Sequence, residues 1–287
     1  MRSFKASKLQ EFLIKTIAYA DIFDYPLRLD EIKKYLIGER AEKILIDRKS
    51  IGEKEGFYFL KGREGIVETR KEREKWSGRK LIIAQRTAEK LKIIPFVKMI
   101  GITGALSMDN CQEDDDIDLL IITDADCLWL TRLLIILLSP LLGIKRRKPK
   151  ERNVKDKICF NLFLEENHLK IEPENLFLAH EICQERPIFD RNNTYTRFIK
   201  ENEWVSNFLP NAKNSSKFKI QNSKFKKNRI LSFFNNLAFR LQFWYMKPKM
   251  TVERVNLHQA FFHPGNMEME VENKYRQSLS LLGLDNS

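Results

Sequence analysis

Between Asp109 and Asp126 the chain carries eight acids and no Lys or Arg, although its net charge is +12. The centre of that run, Asp116-Ile117-Asp118, passes directly into Leu119-Leu120-Ile121-Ile122. An apolar, β-branched run bounded by polar loops predicts a strand, Ile117 to Thr123. Residues i and i+2 of a strand point to one face, so the carboxylates of Asp116 and Asp118 lie side by side. Two carboxylates that close repel unless a cation or a shared proton sits between them. Twelve residues before Asp116 stands Gly104, in Ile102-Thr103-Gly104-Ala105-Leu106-Ser107. A glycine turn, a loop and a strand of paired carboxylates is an arrangement suited to a metal ion and a phosphate-bearing ligand.

Around that strand the pattern alternates. Phe96 to Ile102 reads as a strand, Ala105 to Met108 as a short helix, and Cys127 to Leu142 as a helix buried against a sheet. Lys157 to Leu164 reads as a third strand, Leu176 to Arg186 and Thr194 to Phe208 as further helices. The expected class is α+β or α/β on a short mixed sheet. At 287 residues more than one unit is expected.

Residues 1–62 form a unit of their own, with Leu9, Phe12, Leu13, Ile17, Ala20 and Phe23 at helical spacing. A short helix at Asp30 to Leu36, a third at Arg40 to Arg48 and a hairpin around Gly56-Phe57-Tyr58-Phe59-Leu60 predict a winged helix-turn-helix. Arg40, Lys43, Arg48 and Lys49 would suit nucleic-acid phosphates, and docking on a partner protein is the alternative. Glu64 to Lys92 is a charged helical stretch with a break expected near Ser77-Gly78.

Asn211 to Asn228 holds six lysines and no acid, a basic linker. Beyond it Ile230, Phe233, Phe234, Leu237, Leu241 and Trp244 recur at helical spacing, an apolar stripe expected to pack on the domain. The expected division is 1–75 (winged-helix-like, with the start of a connecting helix), 76–210 (the α/β core), 211–228 (linker) and 229–287 (a C-terminal helical region).

Composition narrows the partners. The positive balance favours an anionic one, such as a nucleoside triphosphate or nucleic acid. Cys111, Cys127, Cys159 and Cys183 show no zinc-like grouping with His168, His180, His258 or His263, so reduced thiols and a cytoplasmic location are expected. Met1-Arg2-Ser3-Phe4-Lys5 lacks a signal-peptide core. The apolar stretch Cys127 to Ile144 holds Arg132 and Pro140, and no stable membrane insertion is expected.

Gly104-Ala105 followed by Asp116-Ile117-Asp118-Leu119 resembles the signature of the polymerase-beta-like nucleotidyltransferase superfamily. That signature is a Gly-Ser or Gly-Gly turn, about ten residues, then Asp-x-Asp on a strand. The resemblance covers roughly residues 95–210. It implies a nucleotidyltransferase core that moves a nucleotidyl group from an NTP to a hydroxyl acceptor. Asp116 and Asp118 would hold Mg²⁺, two ions in an active enzyme, and Gly104, Ala105 and Ser107 would line the triphosphate turn. The chain departs from the pattern twice. Ala105 replaces a hydroxyl-bearing or glycine residue, and Asn161 stands where a later strand usually supplies a third carboxylate. With Ile158, Phe160, Leu162 and Leu164 read as that strand's apolar face, Asn161 falls opposite, beside Cys159 and Phe163. Glu165 lies on the Asn161 face but too far along, and Asp156 has the wrong parity. An amide can ligate Mg²⁺ but cannot take a proton. The alternative is therefore a catalytically inactive nucleotidyltransferase fold that binds or regulates.

Overall fold

Leu119, Leu120, Ile121 and Ile122 have no solvent exposure at all, because the strand they form is covered on both faces. The computed structural model describes residues 2–46, 48–149, 151–212, 229–262 and 267–284, with side chains from Lys8 onward. Its architecture is mixed α+β. The first part comprises α1 (Arg2–Asp21), β1 (Leu27–Arg28), α2 (Leu29–Lys34), β2 (Ile51–Lys54) and β3 (Phe57–Leu60), followed by the long helix α3 (Ile66–Leu91). Next come β4 (Val97–Ile102), α4 (Gly104–Ser107), β5 (Ile117–Thr123), α5 (Leu128–Leu141) and β6 (Ile158–Glu165). Then follow α6 (Leu176–Gln184), β7 (Arg186–Asp190), α7 (Thr194–Glu201), α8 (Arg229–Met246), β8 (Arg254–Val255), β9 (Gln259–Phe261) and α9 (Met267–Leu281).

A small antiparallel sheet has the order β1-β3-β2, and a larger one the order β7-β4-β5-β6-β9-β8. In the larger sheet β5 and β6 are parallel, and every other pairing is antiparallel. Strict alternation along β5 divides its side chains. Ile117, Leu119 and Ile121 pack with Ala84, Leu91, Trp129 and Ile135 of α3 and α5. Leu120 and Ile122 pack on the other face with Leu178, Ile182 and Phe198 of α6 and α7.

β6 does not alternate. Leu119 pairs with Phe160 and Leu120 with Leu162, so Asn161 is an extra residue, a bulge. A bulge reverses the side-chain alternation beyond it. Ile158, Phe160 and Phe163 therefore face α3 and α5, whereas Leu162 and Leu164 face α6 and α7. The single apolar face expected for Ile158, Phe160, Leu162 and Leu164 is split between the two layers. Phe163 is not beside Asn161, and Glu165 turns to the other face, toward α5.

Other expectations shift for local reasons. Residues 40–46 are irregular rather than helical: Gly38 has φ +82°, and the Asn211 amide donates to the carbonyls of Lys33 and Ala41, which fixes the loop. The element that would carry Arg40, Lys43 and Arg48 toward a groove is therefore no helix. α3 runs unbroken through Ser77-Gly78 and through the expected 75/76 boundary, with the buried Ser77 hydroxyl accepting the Cys111 amide at 3.0 Å. The expected helix to Arg186 ends at Gln184 and gives way to β7, and α7 stops at Glu201 before a 3₁₀ turn at Glu203–Asn207. The region from 229 adds the hairpin β8–β9 to the main sheet. Of the expected linker, residues 213–228 lie outside the described residues.

α8 docks on α5, but not by its apolar stripe. The residues it buries are Asn235, Ala238 and Gln242. Asn235 Oδ1 accepts the amides of Trp129 and Leu130 in the first turn of α5, at 2.8 and 3.1 Å. Gln242 Nε2 donates to the Trp129 carbonyl at 2.8 Å, and its Oε1 accepts from Arg132 Nη1. Those buried polar groups need partners, and the open amides at the start of α5 provide them. Among the described residues no helix is long and apolar enough to cross a membrane.

Candidate functional site

The register of β4 against β5 brings the glycine turn to the paired aspartates. Gly101 lies opposite Leu120 and Ile102 opposite Leu119, and the Thr103 amide donates to the Asp118 carbonyl at 3.1 Å. The chain then turns at Gly104, with φ +60°. A Cβ there would lie 2.8 Å from Asp118 Oδ2, so the position is restricted both by backbone conformation and by the carboxylate in front of it. Ala105 is exposed beside this turn. Ser107 is buried, and its hydroxyl donates to the Gly104 carbonyl at 2.7 Å, so it braces the turn instead of facing a ligand.

Asp116 and Asp118 share the α6 side of the sheet with Cys159, their ligand atoms all lying within 4.8 Å of one another. Asn161 joins them through its bulge. Its Nδ2 donates to Asp118 Oδ1 at 2.9 Å, while its buried Oδ1 has no partner among the described residues. Arg147 Nη1 bonds Asp116 Oδ2 at 2.7 Å. It reaches there because Lys145–Arg147 runs alongside the start of β6, with the Arg147 amide on the Ile158 carbonyl at 2.9 Å. Burial, and next the Asp116 charge, push the Asp118 carboxyl up to about 7. Burial and the Asp118 charge raise the Cys159 thiol well above its usual range, so it stays protonated and hydrogen-bonds to Asp118. Two carboxylates and an orphaned amide oxygen form a hard oxygen donor set that fits Mg²⁺. The neutral thiol is the soft outlier.

The acids upstream serve the loop. Lys80 of α3, almost fully buried, donates to the carbonyls of Glu113 and Asp115 and to Asp156 Oδ1, at 2.9, 2.7 and 2.8 Å. Asp156 is thus committed to that loop, while Glu113 and Asp114 are exposed. Glu165 is fully buried on the opposite face. Its Oε2 lies 2.8 Å from His258 Nδ1, and the His258 ring stacks on His168 at 3.9 Å. Glu165, His168 and His258 form a second group whose ligand atoms come together, but it is not part of the Asp116–Asp118 site. His180 is a core residue, stacked on Tyr19 at 4.1 Å, its ring kept neutral by burial.

Two glutamates carry chemistry that sequence patterning did not single out for it. Glu181 of α6 accepts the Gly104 amide, and burial pushes its carboxyl up to about 7 despite that bond. Glu185 is 4% exposed, and neither of its oxygens has a partner among the described residues. Burial raises its carboxyl well above the usual range, with Asp190 adding to the shift. A Cβ on Gly101 would come within 1.4 Å of Glu185 Oε1, so this mid-strand glycine makes the room the carboxyl occupies. Both glutamates wall a cavity of about 350 Å³ floored by Thr103, Leu120 and Leu162. The cavity begins two residues beyond Asp118 on the same strand face. The only sequence signal for these glutamates is an i, i+4 pair of acids at the end of an otherwise apolar helix, which by itself reads as a solvated edge.

No protein-family model matches the chain, and no curated protein matches it.

Proposed function

We propose that this chain is a Mg²⁺-dependent nucleotidyltransferase with a polymerase-beta-like core, transferring a nucleotidyl group from an NTP to a hydroxyl acceptor. The observation that carries this reading is the closeness of the Gly104 turn to Asp118, with Asp116 beside it on the same strand face. Asp116, Asp118 and the amide oxygen of Asn161 would hold the metal. When bound, Mg²⁺ would neutralise charge on the triphosphate and on the leaving pyrophosphate.

The chain's own groups account for the rest. Arg147, which bonds Asp116 Oδ2, would be free to take a phosphate oxygen if a metal occupied that carboxylate. The cavity beside Thr103 would take the acceptor. Glu181 on its wall, poised near neutrality, is suited to take the proton of the acceptor hydroxyl as that oxygen bonds to the α-phosphorus. The bond from the α-phosphorus to the bridging oxygen breaks as pyrophosphate departs. Glu181 would thus do the proton work that the amide of Asn161 cannot.

Isothermal titration of NTP with Mg²⁺ tests the binding half. Wild type should bind, and Asp116→Ala and Asp118→Ala should abolish it. Equal heats in all three proteins, or none in wild type, would sink the idea. A labelled-nucleotide transfer screen with Glu181→Gln tests the proton role, with turnover falling while NTP affinity holds.

A second reading is an inactive nucleotidyltransferase fold that binds nucleotide or a partner, with the N-terminal β1-β3-β2 unit as a winged-helix-like docking module. Asn161 in place of a third carboxylate favours it. Transfer to any acceptor would exclude it.

A further inference from the structure

The apolar stripe of α8 points away from the protein. Phe233, Leu241 and Trp244 are 65%, 59% and 77% exposed, and Phe234, Leu237 and Tyr245 are exposed as well. At 100° per residue this stripe is turned by roughly 110° from the face that Asn235, Ala238 and Gln242 bury. The orientation is fixed, since reversing it would strip Trp129, Leu130 and Arg132 of their partners on α8. Scattered exposed apolar residues are ordinary, but a contiguous aromatic and aliphatic strip along a whole helix marks an interaction surface. On α5, Leu137 and Leu141 are also exposed.

Along the chain, the charge flanking the strip has one sign. No Asp or Glu occurs between Glu203 and Glu253, a stretch of 49 residues in a chain with 39 acids. On α8 and its tail, Arg240, Lys247 and Lys249 are exposed. Lys249 lies over the Tyr245 ring, with Nζ 3.5 Å from the centroid. Past the end of α5, Arg146 lies close enough for its charge to act on the Tyr245 hydroxyl and continues the positive rim. Aromatic and leucine side chains on one face, flanked by Lys and Arg, suit the boundary between lipid headgroups and acyl chains. A protein partner would need an acidic rim around an apolar groove, and a second copy of this chain would set like charges against each other.

We propose that the exposed face of α8 lies on an anionic lipid bilayer surface, with Phe233, Phe234, Leu237, Leu241 and Trp244 in the interface and Arg240, Lys247 and Lys249 on the headgroups. This is peripheral attachment: α8 stays docked on α5 through its buried amides, and among the described residues no helix is long and apolar enough to span the bilayer.

Vesicle flotation of the full chain tests this, using phosphatidylcholine vesicles with and without about 30 mol% phosphatidylglycerol. Wild type should float with the anionic vesicles at least roughly tenfold more than with the neutral ones. Phe233→Ser/Phe234→Ser/Trp244→Ser should cut flotation about tenfold or more. All three positions are exposed, so circular dichroism should be unchanged. Arg240→Glu/Lys247→Glu/Lys249→Glu should lose about fivefold per cation removed, on anionic vesicles alone. The proposal is overturned if wild type floats with neither vesicle, or if the triple serine variant floats as well as wild type. It is also overturned if light scattering shows a dimer that the serine variant dissolves while vesicle binding is absent, since the face would then be a self-association surface.

Discussion

Asp118→Asn should make the metal-free protein more stable while destroying metal binding. In the folded chain burial and the Asp116 charge raise the Asp118 carboxyl from 3.8 to about 7. Between those values the native state holds a proton that the unfolded chain has released, so stability falls as pH rises through that window. At about 1.4 kcal/mol per pKa unit, three units set a ceiling of about 4 kcal/mol above pH 7. An asparagine keeps an oxygen for Asn161 Nδ2, and the bond loses its charge assistance, a cost of about 1 kcal/mol. The net gain expected is about 2–3 kcal/mol at pH 7.5, or about 3–5 °C in Tm for a chain of this size. Urea denaturation in EDTA from pH 4 to 8 should show wild type losing stability toward pH 7 and the variant keeping a flatter profile. Added Mg²⁺ should then raise the stability of wild type and leave the variant where it was, as mass action on the native state requires. A variant that is less stable than wild type in EDTA, or that gains equally from Mg²⁺, refutes the reasoning.

Arg147→Ala should let Mg²⁺ alone bind several-fold more tightly, because Asp116 loses a competing cation, yet weaken NTP binding about tenfold; calorimetry with metal and then nucleotide separates the two. Gly101→Ala should cost about 2–4 kcal/mol, since its Cβ collides with Glu185. In a Glu185→Ala background that cost should shrink to about 1 kcal/mol, giving a double-mutant coupling measurable by denaturation. Arg70→Ala should cost about 3–5 kcal/mol. Its guanidinium, itself buried, makes two bonds to Glu31, at 2.7 and 2.8 Å, and its loss leaves that half-buried carboxylate beside Tyr25 without its charge partner. Hydrogen exchange should show the loss concentrated in α1, α2 and the β1-β3-β2 sheet.

How much of this was readable beforehand follows from which forces set each element. β5 was legible to the residue because an unbroken apolar run entering from two charges leaves little choice of strand or register. β4, α5 and the extent of α8 were legible for the same reason, strong periodicity. β7 was hidden by Pro187 in an otherwise strand-like segment, and β9 by its three-residue length. Both exist because neighbouring strands supply partners, which is information from distant parts of the chain. Residues 40–46 had helical composition, but tertiary bonds from Asn211 took their backbone. The face of α8 was misjudged because burial normally goes to the apolar side. Here Asn235 and Gln242 satisfy the first turn of α5, and no spacing rule reports that. In the site, the pairing of Asp116 with Asp118 and the nearness of Gly104 followed from strand periodicity. Glu181, Glu185 and the role of Arg147 needed the packing of α6 and of the 145–147 segment against the sheet.

The bulge at Asn161 has a consequence for how this strand can change. Asn161 and Leu162 both face the α6 layer, and beyond them the strand alternates again, Phe163 to the α5 side and Leu164 to the α6 side. Deleting Asn161 would restore plain pairing with β5 and leave Phe160, Leu162, Phe163 and Leu164 in the layers they now serve, removing only the side chain that reaches Asp118. Point substitutions at 161 are thus open to selection, asparagine to aspartate included. A deletion at 161 keeps the packing but loses the hydrogen bond to Asp118. The proposed third ligand position can change its chemistry by one codon while the frame that aims it at Asp118 stays fixed.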